Sequence, residues 1–168
     1  MAIFILDSNF FIQAHRVIYP IDVAVGFWNK VKQLADENKI MTIEKVQAEI
    51  FSNNDELKAW LETNIQPNFY KSTQTPEILA KYADVVRWAN SRNDHYLPRA
   101  IAEFLDADNA DAWLIAYALS LDVEKKIVTQ EVSRPDQKSK IKIPDVCQPF
   151  RISTVTTIEM FRNLGETF

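Results

Sequence analysis

The first apolar positions of the chain form a continuous run rather than an alternating one. Ile3–Leu6 are four consecutive apolar residues, which is typical of a strand buried on both faces of a parallel sheet. A second mostly apolar run, Ile40–Ile43, comes after a stretch in which Phe27, Val31 and Leu34 recur at helical spacing. This strand–helix–strand order predicts a βαβ unit.

The same spacing predicts helices along most of the remaining chain. They are expected over residues 10–17, 23–37, 44–50, 55–64, 77–91, 111–121 and 155–164, with one more beginning at Pro98. Asp22 is the expected N-cap of the second helix, and Gly165 the expected end of the last. Further strands are predicted over 126–129 and 150–153. The middle, 55–105, is expected to be a helical insertion whose clearest loop is 64–75.

Composition limits the class of protein. With 168 residues, 47% of them hydrophobic and only two glycines, the chain is expected to form one helix-rich domain over residues 1–168. Its expected architecture is three-layer α/β/α with a mostly parallel sheet. A single cysteine and the lack of a signal or membrane segment predict a cytoplasmic protein with no membrane association. The net charge of −4 argues against binding nucleic acid through a broad basic surface.

Four acids stand at comparable places in the predicted elements. Asp7 follows the first strand, Glu49 lies on the helix after the second, Asp111 begins the apolar helix 111–121, and Glu131 follows the third strand. A parallel sheet brings strand ends and helix starts to one edge, where ligands bind. Each acid also has an ordinary interpretation: a turn or cap at Asp7, a solvated helix residue at Glu49, a loop acid at Glu131. At Asp111 it is a helix-start acid, with Asp108 as the N-cap.

Carboxylates that converge repel one another. Two of them about 4 Å apart, at an effective dielectric near 20, cost on the order of 4 kcal/mol, so a folded protein keeps them together through protons or a cation. Oxygen ligands without His or Cys suit Mg²⁺ or Mn²⁺. Such ions activate water and stabilise displacement at phosphorus. The run 106–111 superficially suggests a calcium loop, but it lacks the glycine and the final glutamate that such a loop requires.

With these acids in place, the chain resembles the PIN-domain family of metal-dependent nucleases, and more closely a PIN-like bacterial branch often linked with toxin–antitoxin pairs. The residues that carry the resemblance are 4–9, the helix reaching Glu49, 110–118 and 128–131. The resemblance implies that Asp7, Glu49, Asp111 and Glu131 are catalytic metal ligands for Mg²⁺ or Mn²⁺. It also implies a PIN-like topology, single-stranded RNA as substrate, an antitoxin protein as partner, and a possible homodimer.

Supporting roles follow from the same resemblance. Ser8 and Asn9 are expected to orient the Asp7 carboxylate, and Thr129 belongs to the motif that leads to the fourth acid. Glu131 stands where the family usually has Asp, so the extra methylene could move this carboxylate away from the metal. That departure keeps open a non-catalytic PIN-like module that binds RNA or protein. Asp145 is expected either to supply or orient an outer ligand or to be a turn acid after Pro144.

One basic stretch adjoins the predicted site. Residues 125–142 contain six lysines and arginines against two acids. Its candidate RNA-binding side chains are Arg134, Lys138 and Lys140, which could hold the phosphates of a single strand. A solvated loop is an equally ordinary interpretation of the same residues.

Overall fold

Five parallel strands form the centre of the computed structural model, which describes residues 1–168. The strands are β1 (Ile3–Leu6), β2 (Ile40–Ile43), β3 (Tyr70–Lys71), β4 (Lys125–Val128) and β5 (Ser153–Val155), in the spatial order β3-β2-β1-β4-β5. Every neighbouring pair is parallel. The predicted helix-rich α/β class is therefore confirmed, and the sheet is parallel throughout.

Nine α-helices surround this sheet. They are α1 (Ser8–Gln13), α2 (Val25–Asp36), α3 (Glu44–Phe51), α4 (Glu56–Asn64), α5 (Pro76–Ser91), α6 (Pro98–Phe104), α7 (Asp111–Leu119), α8 (Ile143–Cys147) and α9 (Thr157–Leu164). A π-helix over Ala14–Ile18 continues α1, and a 3₁₀ helix over Pro67–Phe69 precedes β3. No helix is both long enough and apolar enough to cross a bilayer.

The strand order fixes where a ligand crevice lies. The chain moves outward from β1 to β2 and β3, then returns to β4 on the other side of β1 and continues to β5. Because crossovers between parallel strands are right-handed, the two directions place their helices on opposite faces of the sheet. The direction changes between β1 and β4. In doubly wound sheets, ligands bind at the carboxyl ends of the strands at such a point.

Helix α7 is the most deeply packed element beside the sheet. Residues 112–118 are all buried, and the helix contacts both β2 and β4. Its apolar surface on all sides predicts this burial. The first residue of α7, Asp111, is thereby held at the carboxyl edge of the sheet.

Several local predictions need correction. Asp22 does not cap α2, which begins at Val25 after a turn that Pro20 starts by accepting the N–H of Ala24. Asp108 does not cap α7, because the side chain of Asn109 accepts the N–H of Asp111 instead, at 3.0 Å.

The edges of the sheet also differ from expectation. The middle of the chain is not wholly helical, because β3 lies within the predicted loop and pairs with β2. The last strand lies over Ser153–Val155 rather than 150–153, and Arg151 takes a positive φ of 59° just before it. Helix α8 had no prediction. These short elements depend on contacts with distant segments, which local patterns do not contain.

A buried threonine fastens the loop after β3. Thr73 is fully buried, and both its N–H and its hydroxyl donate to the Glu44 carboxylate, at 3.0 and 2.6 Å. We expect Thr73→Val to lower the free energy of unfolding by about 1–2 kcal/mol, because it keeps the shape and removes a charge-assisted hydrogen bond. Urea denaturation measures this loss. Thr63→Val, at an exposed helical threonine, is the control, and an equal loss there would contradict the assigned role of Thr73.

Candidate metal centre

The four predicted acids lie near one another at the carboxyl edge of the sheet, because the charges of the others act on the pKa of Asp111. Asp7 directly follows β1 and is 2% exposed, Glu49 lies on α3, Asp111 begins α7, and Glu131 lies beyond β4. The charges of Asp7, Glu131 and Glu49 all raise the pKa of Asp111. The fold therefore brings together carboxylates that are far apart in the sequence.

Hydrogen bonds orient the deepest of these carboxylates. The Thr129 hydroxyl donates to Oδ2 of Asp7 at 3.0 Å, and the Ser8 hydroxyl donates to Oδ1 at 3.3 Å. The same Thr129 oxygen accepts the N–H of Glu131 at 3.1 Å. Thr129 thus links Asp7 to Glu131. Asn9 lies in the wall of the adjoining cavity and makes no hydrogen bond to Asp7.

The two glutamates are each held by one backbone group. Oε1 of Glu49 accepts the N–H of Ala110 at 2.8 Å, and Oε2 of Glu131 accepts the N–H of Ile143 at 2.7 Å. Each glutamate has one carboxylate oxygen outside these backbone bonds. The carboxylate of Asp111 accepts no hydrogen bond from the protein.

Burial and mutual repulsion make two of the acids hard to ionise. Burial, then the charge of Glu131, raises the pKa of Asp7 to about 6, although the Thr129 hydrogen bond acts in the opposite direction. Burial, then the charge of Asp7, raises the pKa of Asp111 to about 8. Perturbed acids that face one another in a cleft are typical of functional sites. A bound divalent cation would offset both the free-energy cost of burying these negative charges and the repulsion between them.

A cavity of about 390 Å³ opens above these acids and has no apolar lining residue. Its lining includes six carboxylates and one ammonium group, which belong to Glu49, Glu103, Asp106, Asp108, Asp111, Glu131 and Lys140. Sequence reasoning missed Glu103, Asp106 and Asp108 as part of this wall. The signal was available, because residues 103–111 contain four acids.

The donor chemistry fits a hard divalent ion, because every available ligand is an oxygen. In the structure, however, no three His, Cys, Asp or Glu side chains are grouped closely enough to hold a metal ion. Binding would therefore require the carboxylates to move closer together. The single ammonium group of Lys140 lies 3.9 Å from Oε1 of Glu131 and lowers the pKa of Asp111. Lys140 thus supplies the positive charge nearest to these acids.

Asp145 lies outside the carboxylate group. Its carboxylate accepts the Ser133 hydroxyl and, at 2.9 Å, the N–H of Arg134. It makes no hydrogen bond to any of the four acids, so its observed contacts anchor the loop after Glu131. A role toward an outer metal ligand stays a prediction.

The basic loop divides into two parts. Arg134 and Lys140 line a second cavity, of about 450 Å³, beside the first, together with Lys142. The side chain of Lys138 is not part of this lining, although its carbonyl accepts the N–H of Leu97 at 2.9 Å. Two of the three predicted RNA-binding side chains therefore adjoin the acids.

Comparison with known families covers almost the whole chain. Residues 4–168 match the model of a family described as a domain of unknown function, DUF4411. The chain belongs to this family. No curated protein and no solved structure matches it. Membership in this family assigns no activity to the chain.

Proposed function

We propose that this DUF4411 protein is a Mg²⁺- or Mn²⁺-dependent endonuclease that hydrolyses phosphodiester bonds of single-stranded RNA. One observation supports this most: the burial of Asp111, then the charges of Asp7, Glu131 and Glu49, raise the pKa of Asp111, although these acids lie far apart in the sequence. Strongly perturbed acids in a cleft are typical of sites where a cation or a proton takes part in function. The resemblance of residues 4–9, 110–118 and 128–131 to PIN nucleases points to the same chemistry.

Each side chain has a stated part in this proposal. The four carboxylates hold the ion, and a bound ion supplies Lewis-acid assistance and an activated water. Ser8 and Thr129 keep the Asp7 carboxylate oriented through the hydrogen bonds described above. Lys140 and Arg134 attract the negatively charged phosphates of the strand.

The arrangement of cavities favours a polymer over a small substrate. The cavity above the acids shares Asn9, Glu131 and Lys140 with the 450 Å³ cavity on one side. It shares Glu49 and Asp108 with a third cavity, of about 380 Å³, whose lining has no residue in common with the 450 Å³ cavity. A strand that occupied all three adjoining cavities would continue beyond the acids at both ends of the central cavity. Internal cleavage is the reaction that such a path supports.

The resemblance further supports a biological setting. The PIN-like bacterial branch that the chain resembles is often linked with toxin–antitoxin pairs, so we propose a toxin that an antitoxin protein inhibits in the cytoplasm. A homodimer belongs to the same proposal. None of these partners is needed for the chemistry of the four acids.

A second function has its own supporting observation. The acids are not grouped as metal ligands in the structure, and Glu49 and Glu131 each bind a backbone N–H. These features favour a PIN-like module that binds RNA or protein without cutting. The two functions differ in whether Mn²⁺ stabilises the protein, because a ligand that binds only the native state raises its melting temperature.

Cleavage of a labelled single-stranded RNA tests the proposal. We expect wild-type protein to cut in Mn²⁺ and not in EDTA, and Asp7→Asn to reduce the rate by at least about 1,000-fold, since Asp7 would hold the ion that activates water. Asp36→Asn, at a partly exposed acid on α2 paired with Lys32, is the matched control. Circular dichroism checks that both variants are folded.

Two results would contradict the nuclease. Cutting that survives Asp7→Asn would place the activity elsewhere or in a contaminant. An absence of cutting across varied RNAs, together with no rise in melting temperature in Mn²⁺, would leave the binding module.

A further inference from the structure

The second cavity, which lies beside the acids, has a lining unlike that of the cavity above them. It encloses about 450 Å³, and only one of its nine lining residues, Val132, is apolar. Sites for small molecules and cofactors typically span about 300–1,000 Å³, so the cavity is large enough for one nucleotide. Its polar lining is unsuited to an apolar ligand.

Four carboxamides distinguish this cavity. They belong to Asn9, Gln13, Gln130 and Gln137. Each carboxamide has both a donor and an acceptor, which is the pattern that pairs with the edge of a nucleobase. Asn9 and Gln13 both belong to α1 and are four residues apart, so they lie on the same face of that helix.

Two of these carboxamides are already fixed by the protein. Nε2 of Gln130 donates to the Thr157 hydroxyl at 2.6 Å, and Nε2 of Gln137 donates to the Ser139 hydroxyl at 3.2 Å. Their carbonyl oxygens are left to accept from a ligand. Because these side chains are ordered in advance, a ligand loses less conformational entropy when it binds.

The charges of the cavity favour an anion. Arg134, Lys140 and Lys142 contribute three positive charges against the single carboxylate of Glu131. A ligand that matches both features combines an anionic group such as a phosphate with a planar group that forms several hydrogen bonds. A nucleotide has both parts.

We propose that this cavity binds one nucleotide of the RNA strand beside the scissile phosphate and selects its base through the carboxamides. The inference rests on the proposed RNA substrate, because the cavity shares Asn9, Glu131 and Lys140 with the cavity above the acids. The cations position the strand, and the carboxamides read it. Cleavage then depends on the base at one position.

Binding without cleavage tests this assignment. The Asp7→Asn protein in EDTA is titrated into labelled oligoadenylate, oligocytidylate and oligouridylate, and fluorescence anisotropy gives each dissociation constant. We expect the tightest and weakest to differ by about tenfold, as one bidentate base contact can provide. Adding Gln13→Met should reduce that ratio toward one. Adding Gln33→Met should leave it unchanged, because Gln33 is an exposed glutamine on α2 outside the cavity.

A charge variant separates positioning from reading. Arg134→Met should weaken binding of all three oligonucleotides alike and reduce the salt dependence, because it removes the charge and adds no carboxamide to the cavity. If it changed the base preference more than Gln13→Met did, the division of roles would be overturned. The same titration with free adenosine, cytidine and uridine 5′-monophosphates distinguishes a free nucleotide from a nucleotide within an RNA strand. Equal affinity for mononucleotides and oligonucleotides would overturn an RNA strand as the ligand.

The outcomes also separate this inference from the nuclease activity. Equal affinity for the three oligonucleotides, or a preference that neither Gln13→Met nor Gln137→Met reduces, overturns the base-selecting cavity. Base-selective binding by a protein that never cuts overturns the nuclease alone. Cutting with no base preference overturns the cavity alone.

Discussion

Asp111→Asn is expected to stabilise the metal-free protein at pH 8 while removing its response to Mn²⁺. Burial and three neighbouring carboxylates raise the pKa of Asp111 from 3.8 to about 8. Keeping this acid ionised in the folded state therefore costs free energy that asparagine would not. We expect the melting temperature in EDTA to rise by roughly 5 °C at pH 8. Differential scanning fluorimetry measures it.

The pH dependence follows from the sign of the shift. The folded protein retains protons on Asp7 and Asp111 that the unfolded chain releases near pH 3.8, so the metal-free wild type loses stability as pH rises from about 4 to about 8. The advantage of Asp111→Asn should shrink as pH falls through this range. Mn²⁺ should raise the melting temperature of the wild type and not that of the variant.

Asp108→Asn is the matched control for this experiment. Asp108 is an exposed acid in the wall of the same cavity, and it is not among the groups that raise the pKa of Asp111. Its replacement should change the melting temperature little. If Asp111→Asn destabilised the protein at pH 8, the interpretation of Asp111 as a strained, ionisable ligand would be wrong.

Lys140→Met should tighten Mn²⁺ binding and weaken RNA binding. Its ammonium lies 3.9 Å from Glu131, lowers the pKa of Asp111, and lines both the cavity above the acids and the cavity beside them. A cation in this position opposes the entry of a second one. Because the side chain is partly exposed, we expect about a tenfold lower dissociation constant for Mn²⁺ rather than the larger effect of a buried charge.

Isothermal titration with Mn²⁺ and anisotropy with labelled RNA measure the two effects. Lys138→Met is the control, because Lys138 lies in the same loop and its side chain is outside both cavities. If Lys140→Met changes the two affinities in opposite directions and Lys138→Met changes neither, Lys140 both repels the metal ion and attracts the RNA. Weaker Mn²⁺ binding by Lys140→Met would show that the ammonium instead holds Glu131 in place for the ion.

Local patterns in the sequence predicted the long and buried elements well. The apolar runs at Ile3–Leu6 and Ile40–Ile43 became β1 and β2, and the apolar segment after Asp111 became the buried helix α7. Gly165 ends α9 in the left-handed conformation, as expected of a helix stop. These predictions are correct because burial of one face or of both faces of a strand or helix leaves a regular pattern of apolar residues in the sequence.

Short edge elements and caps were not predictable in the same way. Strand β3 has two residues and pairs only with β2, while Thr73 and Glu44 hold the loop that follows it. Asn109 rather than Asp108 accepts the N–H of Asp111. The pairing of β3 and the identity of the capping residue both depend on where neighbouring segments lie in space. Two adjacent residues that can each accept such a hydrogen bond look alike in the sequence.

The sequence by itself determined the α/β class, the main strands and helices, and the four acids placed at strand ends and helix starts. Only the tertiary structure decided that these acids approach one another, which oxygens are used by backbone N–H groups, and that Lys140 reaches among them. It also decided that carboxamides from α1 and the loop after β4 share one cavity. The reason is physical: periodicity records whether a residue is buried, whereas the encounter of distant residues depends on strand order and on how the loops fold back.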